Sequence, residues 1–208
     1  MTNGNPIRKE FKEITKEQSK EELSIKDKFT ILIMGGSLGA KTINDSSFKL
    51  LKEYANKKEF QIIWQTGKKN FDDVTKKILE EFGSLPDNLV LQPYFDKMYL
   101  VMLSADIAVS RAGSLSLSEL CACGLPSILI PYPHAAADHQ KKNAQELVKQ
   151  EIALMIEDKN CNNEILFEKI KELIDNKPLL SKLSINAKNY SKQDSAEKIV
   201  EQINNVIK

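Results

Sequence analysis

From residue 29 onward, short apolar runs alternate with longer stretches of helical periodicity. The run 29–34 (FTILIM) is too short for a helix and is closed by Gly35-Gly36, the pattern of a strand buried on both faces. Helix-compatible sequence follows over 41–56. The alternation then repeats, with strands expected over 60–66, 89–92, 107–110, 127–131 and 153–156 and helices over 70–82, 97–104, 114–123 and 137–150. This order predicts right-handed βαβ units and a parallel sheet covered on both sides. The fold class is α/β, a Rossmann-like doubly wound parallel sheet. After Asp158 the pattern changes to helices over 162–176, 178–190 and 194–207, separated by Asn, Pro or Ser. Residues 9–28 are highly charged and read as a solvated segment with a short helix near 16–23. Three parts follow: a linker-like segment (1–28), the Rossmann-like domain (29–160) and C-terminal helices (161–208).

Composition narrows the function classes. The chain has 208 residues, 41% of them hydrophobic, enough for one domain with a real core. Lys+Arg total 30 and Asp+Glu 29, a net charge of +1, which argues against a nucleic-acid binder while leaving room for a local phosphate site. The three cysteines, Cys121, Cys123 and Cys161, form no disulfide framework, and Cys121-x-Cys123 lacks zinc-knuckle spacing. They read as buried free thiols, and neither a metal nor a cofactor is expected. The opening MTNGNPIRKEFKEITKEQ has no apolar core of a signal peptide, and no apolar run approaches the roughly 20 residues of a membrane helix. A cytoplasmic location is the default expectation.

In a doubly wound sheet, ligands sit at the carboxyl ends of the strands. The unusual local sequences fall there: GGSLGA, QTGK, PYFDKM, SRAGSLSLSE and PYPHAAADHQ. In GGSLGA, Gly36 and Gly39 let the backbone turn sharply and approach an anion, beside a helix N-terminus that favours phosphate. The same residues also suit a plain tight strand–helix turn, since the pattern is neither the dinucleotide fingerprint nor a Walker loop. At the second junction, Gly113 and Ser114 open a helix, and Ser114 or Ser116 can cap it or donate to a ligand oxygen. Glu119 suits either a grip on the two hydroxyls of a ribose or simple helix stabilisation. In the third loop, prolines stiffen the backbone, Asp138 is a candidate cap, and His139 and Gln140 project near a helix start. Both can bond sugar hydroxyls or phosphate oxygens. A general-base role for His139 and a purely structural one stay open.

Together these motifs resemble the carboxyl-terminal domain of the MurG family, the UDP-N-acetylglucosamine:lipid-linked muramoyl-pentapeptide N-acetylglucosaminyltransferases of peptidoglycan synthesis. The resemblance covers almost the whole chain. Gly4-Asn5-Pro6-x-Arg8 resembles the segment joining the family's two domains. GGSLGA resembles its donor-domain glycine loop, and RAGSLSLSEL, CGLPSILIPYP and DHQKKNA its nucleotide-sugar signature. The resemblance implies one half of a GT-B transferase, with donor UDP-N-acetylglucosamine held in the cleft. It places Arg8 and Ser37 at the diphosphate, the backbone of Phe95 at the uracil with Met98 packed nearby, and Ser114, Leu115 and Ser116 at the phosphate end. Glu119 would hold the ribose, and His139 and Gln140 the N-acetylglucosamine hydroxyls.

The resemblance starts at the joining segment. The acceptor domain, with its own glycine loop and the general base, is therefore expected to lie outside these 208 residues, and Met1-Thr2 is not expected to be the natural start. No catalytic residue is assigned in this chain, which alone is expected to be inactive. The lipid-linked acceptor and the cytoplasmic face of the cell membrane would be reached only through the intact enzyme, an inverting transferase converting lipid I to lipid II in cell-wall growth. The last helix resembles one that crosses onto the acceptor domain, leaving an apolar patch exposed here. Two alternatives remain. One is a stand-alone donor subunit of a split N-acetylglucosaminyltransferase, like the dolichol-linked one. The other is a UDP-sugar epimerase or binding module of similar fold.

Overall fold

The computed structural model describes residues 4–25, 28–192 and 194–207; Met1-Thr2, part of the joining segment read above, lie outside them. Two short helices, α1 (Glu10–Glu13) and α2 (Lys16–Glu22), precede the first strand. The charged segment holding them packs on the body of the protein, burying Phe11 and Ile25. A single apolar residue per turn was too sparse a signal to show this in the sequence. Thr15 and Gln18 form a reciprocal capping box at the start of α2.

Six parallel strands follow: β1 (Phe29–Met34), β2 (Phe60–Gln65), β3 (Leu89–Gln92), β4 (Ile107–Ser110), β5 (Ser127–Leu129) and β6 (Ala153–Met155). They are ordered β3-β2-β1-β4-β5-β6, with Ile31 paired to both Ile62 and Ile107. The last two strands end slightly earlier than expected. Alternate β1 residues face opposite layers. Ile31 and Ile33 pack with α3 (Lys41–Ser46), α4 (Phe48–Tyr54), α5 (Phe71–Phe82) and, later in the chain, α9 (Asn163–Asp175). Leu32 and Met34 pack with α1, α6 (Met98–Ser104), α7 (Ser114–Cys123) and α8 (His139–Lys149). The period of two along a strand sends each apolar set to its own core. Two further helices, α10 (Lys177–Tyr190) and α11 (Ser195–Ile207), complete the chain, and α11 leaves Val200 and Ile203 exposed.

The helix expected over 41–56 is two helices. The Ser47 hydroxyl donates to the Ile43 carbonyl at 2.7 Å, diverting the backbone between α3 and α4. Buried Trp64 then ties α3 to the sheet. Its indole N–H donates to Asn44 Oδ1 at 3.0 Å, while Asn44 Nδ2 donates to the Thr66 carbonyl. The cysteines are free, and burial pushes the Cys121 thiol up to about 12. Among the described residues no helix is long and apolar enough to cross a membrane.

Asp106 anchors α2 beneath the sheet. It accepts from Lys16 Nζ at 2.6 Å, Lys20 Nζ at 3.0 Å and the Thr30 N–H at 2.7 Å. Asp106→Ala strands two ammonium groups and a backbone donor in a partly covered site. A loss of about 2 kcal/mol is expected, reduced from the fully buried case by solvent screening. A lower urea midpoint would register it, and an unchanged midpoint would show that water already screens these charges.

Candidate functional site

The sheet order reverses at β1, whose neighbours β2 and β4 lead away in opposite directions. In such sheets a crevice opens at this switch point, at the carboxyl ends of the strands. The loops after β1 and β4 form its walls. The β1 loop folds tightly, with Gly36 and Gly39 both at left-handed φ (+81° and +77°) and the Gly39 N–H donating to the Gly36 carbonyl. Buried Gln65, at the end of β2, braces it. Its Nε2 donates to the Gly36 carbonyl at 3.2 Å, and its Oε1 accepts from the Phe95 N–H at 2.9 Å.

The β4 loop runs into α7 through Gly113, which has no side chain to cap the helix. The first helical bond is Leu117 N–H to the Gly113 carbonyl, so the N–H groups of Ser114, Leu115 and Ser116 have no intrahelical acceptor. These donors and the helix dipole give the crevice positive character where α7 begins.

Two cavities meet at this point. One, of about 320 Å³, is bounded by Arg8, Tyr94, Met98, Leu115 and Glu119. The other, of about 670 Å³, is bounded by the β1 loop, Arg111, Tyr132, His134, Gln140 and Asp158. They share Gly36, Ser37 and Ser116, which form a polar saddle between them. Glu119 is half-buried and lines the smaller cavity, and its carboxylate accepts no hydrogen bond from any described residue. Burial raises its pKa, and the charge of Arg8 opposes that shift in part.

The structure thus brings together Arg8, Gly36, Ser37, Met98, Leu115, Ser116 and Glu119 around the first cavity, and Gly39, Gly113 and Gln140 around the second. Phe95, Ser114 and His139 line neither. The Phe95 ring packs on the core and its N–H is held by Gln65. The Ser114 carbonyl accepts from Asn5 Nδ2 and the Ser118 hydroxyl, and the residue borders a separate cavity behind α7. His139 lies with Nδ1 2.8 Å from the Ala136 carbonyl.

Asp138 is not a cap. Ala137 and Asp138 both take left-handed backbone (φ +51° and +54°), and no side-chain cap bond to α8 forms. Instead Gln140 organises this corner, its Oε1 accepting the N–H groups of Ala112 at 3.2 Å and Tyr132 at 3.0 Å.

Several residues escaped the sequence reading. Arg111 donates to the Ile130 and Pro131 carbonyls, pairs with Asp158 and lies 5.5 Å from the centre of the Tyr132 ring. Thr42 also donates to Asp158, so three loops are clamped together. Gln65 had a faint signal, as a polar residue closing an apolar strand; Arg111 had only its place directly after β4.

Residues 30–203 match the family model described as glycosyltransferase family 28 C-terminal domain. A UDP-N-acetylglucosamine–N-acetylmuramyl-(pentapeptide) pyrophosphoryl-undecaprenol N-acetylglucosamine transferase of Acetivibrio thermocellus is 38% identical over 206 residues. That match takes in 99% of this chain and 55% of the relative, so the chain spans about half the length of the curated relatives it matches. The crystal structure of MurG from Acinetobacter baumannii superposes with a TM-score of 0.75 at 25% identity, covering 94% of this chain and 54% of that one. A UDP-GlcNAc 2-epimerase of Neisseria meningitidis, bound to UDP-GlcNAc, shares the fold at a TM-score of 0.62 and 18% identity, covering 90% of this chain and 48% of that one.

Proposed function

Because the chain belongs to the glycosyltransferase family 28 C-terminal domain family, we propose that it is the donor-binding half of an inverting N-acetylglucosaminyltransferase, holding UDP-N-acetylglucosamine in the two joined cavities. The observation that carries this reading is the open N-terminus of α7 beside Gly36, Ser37 and Ser116, which border both cavities, with Glu119 lining the smaller and Gln140 the larger. A nucleoside diphosphate sugar has the same order of parts. The uridine lies in the smaller cavity, with Glu119 accepting from the ribose hydroxyls and Met98 against the base. The diphosphate crosses the saddle, meeting backbone N–H groups and Arg8. The sugar enters the larger cavity.

In this reading the acceptor hydroxyl of a lipid-linked muramoyl-pentapeptide attacks the anomeric carbon. The new C–O bond forms as the bond to the β-phosphate oxygen breaks, UDP leaves with the electron pair, and a base takes the hydroxyl proton. This chain stabilises the charge growing on the leaving diphosphate, the usual large contribution of preorganised donors. The base and the acceptor site belong to the part of the relatives that the chain does not span. With that part, the enzyme would sit peripherally on the cytoplasmic face of the membrane and act in peptidoglycan synthesis. We also propose the division into a joining segment (1–28), a nucleotide-sugar domain (29–160) and C-terminal helices (161–208).

A polypeptide of these 208 residues is expected to bind UDP and UDP-N-acetylglucosamine in calorimetric titration, yet to transfer no sugar to a lipid acceptor. Absence of UDP binding would overturn the donor reading. Robust transfer would place acceptor site and base within this chain.

A further inference from the structure

We propose that His134 is a sugar-binding residue of the donor site, setting discrimination between a UDP-hexose and bare UDP; this rests on the donor reading above. If the diphosphate crosses the saddle of Gly36, Ser37 and Ser116, the group beyond it lies in the larger cavity, against the loop after β5.

Most polar groups there are already engaged. Arg111 is held by two carbonyls and Asp158, and Thr42 donates to Asp158. Lys41 pairs with Asp45, and the Gln140 carbonyl oxygen takes two backbone N–H groups, which leaves its Nε2 as a second group able to meet a sugar hydroxyl. The imidazole of His134 borders the same cavity, and neither ring nitrogen makes a hydrogen bond with a described residue. A neutral imidazole presents one donor and one acceptor, which matches a hydroxyl that can both accept and donate.

The exposed His134 ring has one aromatic neighbour. It stands edge-on to Tyr132, centroids 5.5 Å apart and planes at 80°. Tyr132 is 46% exposed; the Arg111 guanidinium lies over its ring, and its backbone N–H donates to Gln140 Oε1. Pro131 and Pro133 restrict the backbone on either side of Tyr132. The contact with Tyr132 and the flanking prolines reduce the freedom lost when the ring meets a ligand. His139, the imidazole that the sequence pointed to, is turned onto the Ala136 carbonyl outside the cavity.

The test compares the unaltered chain with H134A and H134F by calorimetric titration with UDP and with UDP-N-acetylglucosamine. Phenylalanine keeps a ring against Tyr132 and removes only the nitrogens. Both variants are expected to raise the Kd for the UDP-sugar by about five- to tenfold, the scale of one hydrogen bond, with UDP affinity held within about twofold. Equal weakening of both ligands would overturn the inference by placing the imidazole at the diphosphate or in a loop-bracing role. Unchanged affinity for both would overturn it as well. Failure of the unaltered chain to bind UDP would overturn the donor reading itself, an outcome distinct from intact UDP binding with unchanged sugar discrimination.

Discussion

Glu119→Ala is expected to weaken UDP-N-acetylglucosamine binding by about 1–3 kcal/mol, roughly five- to 150-fold in Kd, the range for losing hydrogen bonds to a charged acceptor. The carboxylate is half-buried in the wall of the smaller cavity and has no hydrogen-bond donor among the described residues. A ribose offers two adjacent hydroxyls, and one carboxylate can accept from both. Uridine nucleotides with and without the sugar should therefore lose affinity by the same factor, in contrast to the His134 variants. Unchanged calorimetric affinity would remove Glu119 from the site.

The same residue links binding to pH and to stability. Burial raises the Glu119 pKa above the ordinary glutamate range, against the opposing charge of Arg8. For a group whose folded pKa is raised, the stabilising contribution is complete below the unfolded value and is lost as pH rises through the folded value. At neutral pH the ionised Glu119 is thus a small burden on the empty fold. Glu119→Gln is expected to raise the melting temperature at neutral pH, to have little effect on it in acid, and to weaken donor binding. Bound hydroxyls favour the ionised form, so affinity of the unaltered chain should fall as pH drops through the raised value. A UDP-sugar suits this measurement, because its diphosphate carries no ester-free terminal phosphate that titrates near neutrality. An affinity independent of pH across the acidic range, or a Gln variant no more stable than the parent at neutral pH, would contradict this account.

The strands were legible because each is a short apolar run, most of them closed by Gly, Thr or Pro, and their parallel direction follows from their alternation with helices. The glycine loop and the start of α7 were legible because they sit directly after strands, where a parallel sheet places its crevice, and Glu119 follows one to two turns into α7. Other features depend on contacts that no pattern encodes. Ser47 breaks a helix through one side-chain bond to Ile43, although serine occurs inside many helices. Phe11 is a lone apolar residue among charges and still reaches the core. His139 is turned out of the cavity at a corner where Ala137 and Asp138 take left-handed backbone, a conformation that Asp tolerates but Ala rarely adopts. Arg111 carries a three-loop clamp through Asp158, which lies 47 residues away in the chain.

Gly39→Ala is expected to destabilise the protein by about 2–5 kcal/mol, combining roughly 1–2 for a left-handed L-residue with about 1–3 for forced backbone movement. Gly39 has φ +77°, and a Cβ there would lie 2.1 Å from the Thr66 carbonyl oxygen and 2.6 Å from Asn70 Nδ2. Gly67 is its counterpart, with a Cβ position 2.3 Å from the Gly39 N atom, so the loops after β1 and β2 interlock backbone to backbone. Neither can retreat alone, because Asn44 and Asn70 both donate to the Thr66 carbonyl that the methyl would strike. Against a typical total of about 5–15 kcal/mol, this loss is large enough to lower the melting temperature by many degrees. Gly36→Ala separates stability from binding. It shares the left-handed backbone, at φ +81°, but a Cβ there meets nothing within 4 Å. Its cost is only the backbone strain, about 1–2 kcal/mol. The added methyl instead projects into open space at a residue that borders both cavities. Gly36→Ala is therefore expected to stay folded and to lose affinity for UDP and UDP-sugar alike, while Gly39→Ala loses the fold first. A Gly39 variant that melts like the parent would refute the interlock, and a Gly36 variant with full affinity would mean that the diphosphate does not cross the saddle.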